Sequence, residues 1–176
     1  MTATTRTPEN TSYLQASKFL LTFDRIPNVQ YFCQTVNLPG VSIGQATINT
    51  PTLDVFSPGN KLTYEKLNIN FIVDESMVTW QELYKWFRSM GSPEGVTEKN
   101  YLSALQNQFA SKDKKYYSDA TLTILSALNN PINRIRYFNT FPINLDGIQF
   151  DTKRSAEDII TCDVSLVYDY FNFESA

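Results

Sequence analysis

The sequence predicts a mainly β (α+β) domain in which two antiparallel sheets pack as a sandwich or barrel and one amphipathic helix lies at the flank. Three observations predict it. About seven or eight short runs alternate apolar and polar residues, with turn residues between them. Only one stretch, from Met77, carries a strong helical period. And 176 residues with 12 Phe, 10 Tyr and 2 Trp are enough for one domain with a sizeable core.

The elements follow in order. Residues 1–16 are rich in Thr, Ser and Asn and read as a flexible arm, leaving 17–176 as the single β domain. Residues 17–36 read as a hairpin: Phe19, Leu21 and Phe23 alternate, Arg25-Ile26-Pro27-Asn28 turns, and Val29, Tyr31, Cys33 and Thr35 alternate again. A long loop then covers 38–63. It holds Pro39, Pro51 and Pro58 with Gly40, Gly44 and Gly59, and an edge-strand pattern in Val41, Ile43, Ala46 and Ile48. Leu53, Val55 and Phe56 add apolar surface. Such a loop either packs on its own domain or is covered by another chain.

Leu67, Ile69, Phe71 and Val73 form the next strand. Asp74-Glu75-Ser76 ends it, with Ser76 as the expected N-cap and the two acids at the positive end of the helix dipole. At about 100° per residue, Met77, Trp80, Leu83, Tyr84, Phe87 and Met90 share the inner face, with Trp86 at its boundary and Gly91 as the left-handed stop. Residues 92–115 are a polar insertion with a short helix near 101–109. Strands follow at 118–128, at 134–141 and, after the corner Pro142–Gly147, at 148–151; a last long strand covers Ile160–Phe173.

Composition removes several chemistries. The chain has no histidine, and so lacks the commonest general base and metal ligand. Cys33 and Cys162 have no zinc spacing and read as two buried thiols. No phosphate-cradling glycine loop and no Gly-x-Ser-x-Gly elbow occurs. Asp74 and Glu75 adjoin each other at a helix start, whereas a glycosidase pair faces across a cleft. The net charge of −3, without a basic block, argues against tight phosphate binding. No apolar run reaches the length of a membrane span, and the first ten residues do not form a signal peptide. Catalytic, metal and cofactor sites are therefore not expected. Strand edges and loops that are not blunted suit a self-assembling protein.

Three stretches carry a resemblance: Cys33-Gln34-Thr35-Val36-Asn37-Leu38-Pro39-Gly40 after the early strands, the Leu67–Met90 unit, and Phe141-Pro142-Ile143-Asn144-Leu145 leading to the terminal strand. In content and order they resemble tail tube proteins of contractile-tailed bacteriophages, a family that looks related to type VI secretion tubes. The resemblance implies a structural virion protein of the tail, assembled in the host cytoplasm, whose hexameric rings stack into the inner conduit for genome delivery. It implies as partners further copies of the chain, the tail sheath protein, the tape measure protein and baseplate proteins, with DNA passing through unbound. The long loop would reach a neighbouring subunit, which makes Leu38, Pro39, Val41, Ile43, Ile48, Leu53, Val55 and Phe56 the candidate subunit interface. Asp163 and Asp169, on the alternate face of the last strand, are the lumen-facing candidates. A repeated tube subunit is preferred, since the chain is short. A tube initiator at the baseplate–tube junction is the alternative. A small β-sandwich binding module or enzyme is the reading from another class.

Overall fold

The computed structural model describes residues 12–26, 28–91, 93, 116–153, 155 and 158–175. The insertion 92–115 except Pro93, with its expected short helix, and most of the arm 1–16 lie outside the described residues. The elements are β1 (Phe19–Phe23), α1 (Val29–Phe32), β2 (Cys33–Val36), β3 (Val41–Asn49), β4 (Asp54–Tyr64), β5 (Leu67–Ile72), α2 (Val78–Gly91), β6 (Ser118–Leu125), β7 (Pro131–Leu145), β8 (Thr161–Val167) and β9 (Tyr170–Ser175).

Strand β7 organises the body. Its first part pairs antiparallel with β6 on one side and β9 on the other; its last part, from Phe141, pairs with β8. The seven-stranded sheet thus bends into two layers, β1-β6-β7-β9 and β7-β8-β5-β2. The bend falls at Asn139, whose φ of 55° is left-handed, a conformation asparagine tolerates better than most residues. Polar groups hold it. Buried Asp119 accepts the Asn139 backbone N–H at 3.3 Å and Arg136 Nη2 at 3.1 Å, and Asp169 Oδ2 accepts Asn139 Nδ2 at 2.5 Å. Phe138 and Tyr170 stack beside it, ring centroids 4.7 Å apart.

The inner faces of the layers supply one core. Leu21, Ala120, Leu122, Ile135 and Tyr137 come from the first layer; Leu67, Ile69, Phe71, Cys162, Val164 and Leu166 come from the second. This two-layer, mainly β body with one long helix is the fold class the sequence predicts.

Several local expectations change. Residues 17–36 are not a hairpin: β1 pairs with β6, β2 pairs with β5, and the short α1 stands between them. The strand at 134–141 starts earlier, at Pro131, and continues through Pro142 to Leu145, so the corner is Asn139. Residues 148–151 are not a strand. The terminal strand is kinked at Tyr168–Asp169 opposite Asn139, where Asp169 N–H donates to the Phe138 carbonyl at 3.0 Å. Beyond the kink the alternation changes phase: Phe171 turns inward and Tyr170 outward.

The helix also differs. Its buried residues are Thr79, Leu83, Trp86 and Ser89. Trp86 is fully enclosed, donates its Nε1–H to the Tyr116 carbonyl at 2.9 Å, and lies under the Arg25 guanidinium, 5.5 Å from the ring centroid. Trp80 is half-buried and stacks on exposed Tyr84. Asp74, rather than Ser76, caps the helix: its carboxylate accepts the N–H groups of Val78 and Thr79, both at 3.0 Å, and the Ser76 hydroxyl at 2.6 Å. The Ser76 bond, with these two N–H bonds, holds its carboxyl well below the usual carboxylate range. Gly91 is the last helical residue and does not take a left-handed φ.

Candidate assembly surface

The stretch expected to be a long loop, 38–63, is a β-ribbon. Strands β3 and β4 pair only with each other, from Val41↔Tyr64 to Asn49↔Asp54, as a separate two-stranded sheet. Around Thr50 the turn is tied by side chain and backbone: Thr50 N–H donates to the Leu53 carbonyl at 3.2 Å, and Leu53 N–H donates to Thr50 Oγ1 at 3.2 Å.

A bulge divides the ribbon. Between Ile43 and Gln45 the register slips, with Gly44 facing the longer stretch between Leu62 and Pro58. Here the two backbones nearly touch. A Cβ on Gly59 would lie 2.5 Å from the Gly44 carbonyl oxygen, so only glycine fits. Because the pleat alternates, Ile43 and Leu62 share one face of the ribbon, while Ile48 and Val55 share the other.

The ribbon is apolar and open. Among the sequence candidates, Leu38, Val41, Ile43, Ile48, Leu53, Val55 and Phe56 are all exposed, Leu53 to 70% and Phe56 to 62%. Leu62, which the sequence reading did not single out, joins them. Pro39 is the exception: it is buried and packs within its own chain. Residues 45–58 hold one carboxylate, Asp54, and no lysine or arginine. A lone hairpin is only marginally stable in water, and this one has apolar residues on both faces. Covering half of each of these eight side chains would contribute on the order of 5–10 kcal/mol before the cost of association.

Aromatic packing anchors the ribbon's foot. The Tyr64 ring lies 5.9 Å from Tyr168 and 5.5 Å from Phe171, and Tyr137 lies 5.0 Å from Tyr168. Burial, then the neighbouring Tyr64 and Glu65, pushes the Tyr168 hydroxyl up to about 12; burial also raises Tyr137. Glu65 completes the foot by accepting the Gly40 N–H at 3.2 Å.

The two lumen candidates are not brought together. Asp163 lies on the exposed face of the second layer, where it accepts Asn70 Nδ2 at 2.8 Å beside the Ser165–Asn68 pair. This face is a hydrophilic row. Asp169 is committed to the corner through Asn139, a structural role that alternation alone did not reveal. Burial pushes both thiols, Cys33 and Cys162, up to about 11, so they stay protonated at neutral pH. Among the described residues no cluster of metal-ligating side chains occurs, and no helix is long and apolar enough to cross a membrane.

A two-layer β body that extends an uncovered apolar ribbon has the build of a structural subunit with a surface suited to another chain. The comparisons agree with that class. Residues 5–174 match the family model described as "Phage tail tube protein", and the chain belongs to that family. It is 25% identical over 145 residues to the tail tube terminator protein of Enterobacteria phage T4, covering 80% of this chain and 76% of that one. Its fold is similar to the tube-terminating cap of the anti-feeding prophage (TM-score 0.62, 13% identity, 100% of both chains). It is likewise similar to a chain of the sheath–tube complex of an extracellular contractile injection system (TM-score 0.60, 15% identity, 94% of both chains). The family is one of structural tube proteins. The protein is a structural protein of the phage tail tube family.

Proposed function

We propose that this protein forms a hexameric ring of the inner tube of a contractile phage tail, with each β3–β4 ribbon lying on a neighbouring subunit. The exposed apolar ribbon carries this reading, because a closed ring covers it and pairs the open edges of β1, β2 and β9. The hydrophilic face bearing Asn68, Asn70, Asp163 and Ser165 is the wall past which DNA slides. The surrounding partners are the sheath, the tape measure protein and the baseplate, with assembly in the host cytoplasm.

The relative at 25% identity is a tube terminator, and this favours a ring at the tube end. The family description favours the second reading, a subunit repeated along the tube. Quantitative mass spectrometry of purified tails separates them. About one ring's worth of chains per particle supports the terminator; many rings' worth supports the repeated subunit. Absence from tails refutes both.

A further inference from the structure

A second surface lies at the far end of β5 from the ribbon. Here Val73, the residues leading into α2, Ile148, Phe150 and residues 158–160 form a groove of about 420 Å³. Its apolar lining includes Ile148, Phe150 and Ile159, of which Phe150 is 73% and Ile159 63% exposed. Its acidic lining is Asp74, Glu75 and Asp158; among the described residues no lysine or arginine lines it. Backbone bonds fix its walls: Val73 N–H donates to the Ile160 carbonyl at 2.9 Å, and Met77 N–H to the Asp74 carbonyl at 2.9 Å.

We infer that this groove is the docking site for an apolar segment of another polypeptide that carries lysine or arginine beside its apolar residues. Three carboxylates around an apolar floor attract cations and repel anions, and the exposed Phe150 and Ile159 provide an anchor for aliphatic side chains. A second copy's ribbon is a poor complement, since residues 45–58 carry Asp54 and no cation. The inference rests on reading the protein as part of a larger tail assembly, in which one surface meets its own kind and another meets a different protein.

The test uses the full chain and a fluorescein-labelled amphipathic peptide of about 15 residues, built from leucine and lysine, with a leucine–glutamate analogue as control. Fluorescence anisotropy should show binding of the lysine peptide only. Affinity should fall about tenfold or more in Phe150→Ser and in the Glu75→Lys/Asp158→Lys double variant. It should also fall roughly tenfold between about 50 and about 500 mM salt. Asp163→Lys, on the polar outer face of the β5–β8 pair and outside the groove's lining, should bind as the parent does. Asp74 is left intact because it caps α2. Both groove variants should keep the parent's ring assembly in electron micrographs. Equal binding to every variant, no binding at all, or loss of rings in the groove variants overturns the inference; the last outcome would assign the groove to a second copy. Should the parent form no rings, the proposed function fails while the peptide measurements still judge the groove.

Discussion

Trp86→Ala is expected to be among the most damaging single truncations in the domain, and more damaging than Trp80→Ala. Trp86 is 0% exposed, so its removal leaves a large cavity between α2 and the sheet. Comparable buried aromatic truncations cost about 3–5 kcal/mol. The Tyr116 carbonyl also loses its indole donor, about 1 kcal/mol, and Arg25 loses the ring beneath it. Trp80 is half-buried at the edge of the helix, so its truncation should cost about 1–2 kcal/mol. For a urea slope of about 2 kcal/mol/M, the midpoint should fall by about 2 M for Trp86→Ala and by less than about 1 M for Trp80→Ala. Equilibrium urea unfolding followed by far-UV circular dichroism reads both. Equal shifts, or a larger shift for Trp80, would show that the helix packs by the face with Met77, Trp80 and Tyr84 and would refute the packing described here.

Other expectations follow from the caps, the foot and the bulge. Asp74 is depressed in the folded state, so its contribution is complete above the ordinary carboxylate pKa of about 4 and is lost progressively as pH falls from there through the depressed folded value. Asp74→Ala should cost about 1 kcal/mol at pH 7 in thermal unfolding, and the difference should shrink steadily as pH is lowered below about 4. Tyr168 is raised, so the stability it contributes is complete below about 10 and is lost as pH climbs through about 12. Tyr168→Phe should flatten the alkaline limb of a pH–stability curve while leaving neutral stability nearly unchanged, because its buried hydroxyl has no hydrogen-bond partner among the described residues. Gly59→Ala should distort the ribbon by displacing the backbone at Gly44 and so reduce ring formation, yet change the stability of the body by less than about 0.5 kcal/mol in urea unfolding, since the ribbon stands apart from the core. Wild-type assembly in that variant would show that the bulge has no part in it.

How much of this was legible in the sequence depended on how local the physics was. Leu67–Ile72 alternates cleanly because one face is core and the other is a polar row, and the sequence reading matches the observed burial. The helix was legible as a helix but not in phase. Its buried stripe includes Thr79 and Ser89, small polar residues that let the helix approach the sheet and that a search for large apolar residues passes over. Val29–Thr35 alternates over too few residues to separate a strand from the turn of helix that forms there. Pairing was invisible, because β1 finds β6 across roughly a hundred residues of chain. The ribbon was hidden by its own prolines and glycines. Pro58 sits in β4 opposite Gln45, next to the bulge, where a strand tolerates proline, and Gly44 and Gly59 mark a close backbone approach rather than a loop. The interface candidates followed from apolar content and stand exposed, apart from Pro39. The hydrogen bonds of Asp169 to the corner could not be read from alternation, because the strand changes phase at a kink opposite Asn139.

The central claim is that the β3–β4 ribbon exists to lie on another copy of this chain. Its most direct test is negative-stain electron microscopy and native mass spectrometry of the purified protein beside a variant lacking residues 45–58, with circular dichroism to confirm that both are folded. The account predicts closed rings from the parent and folded monomers from the variant. Rings from both, or lone monomers from the parent at every concentration, would contradict it.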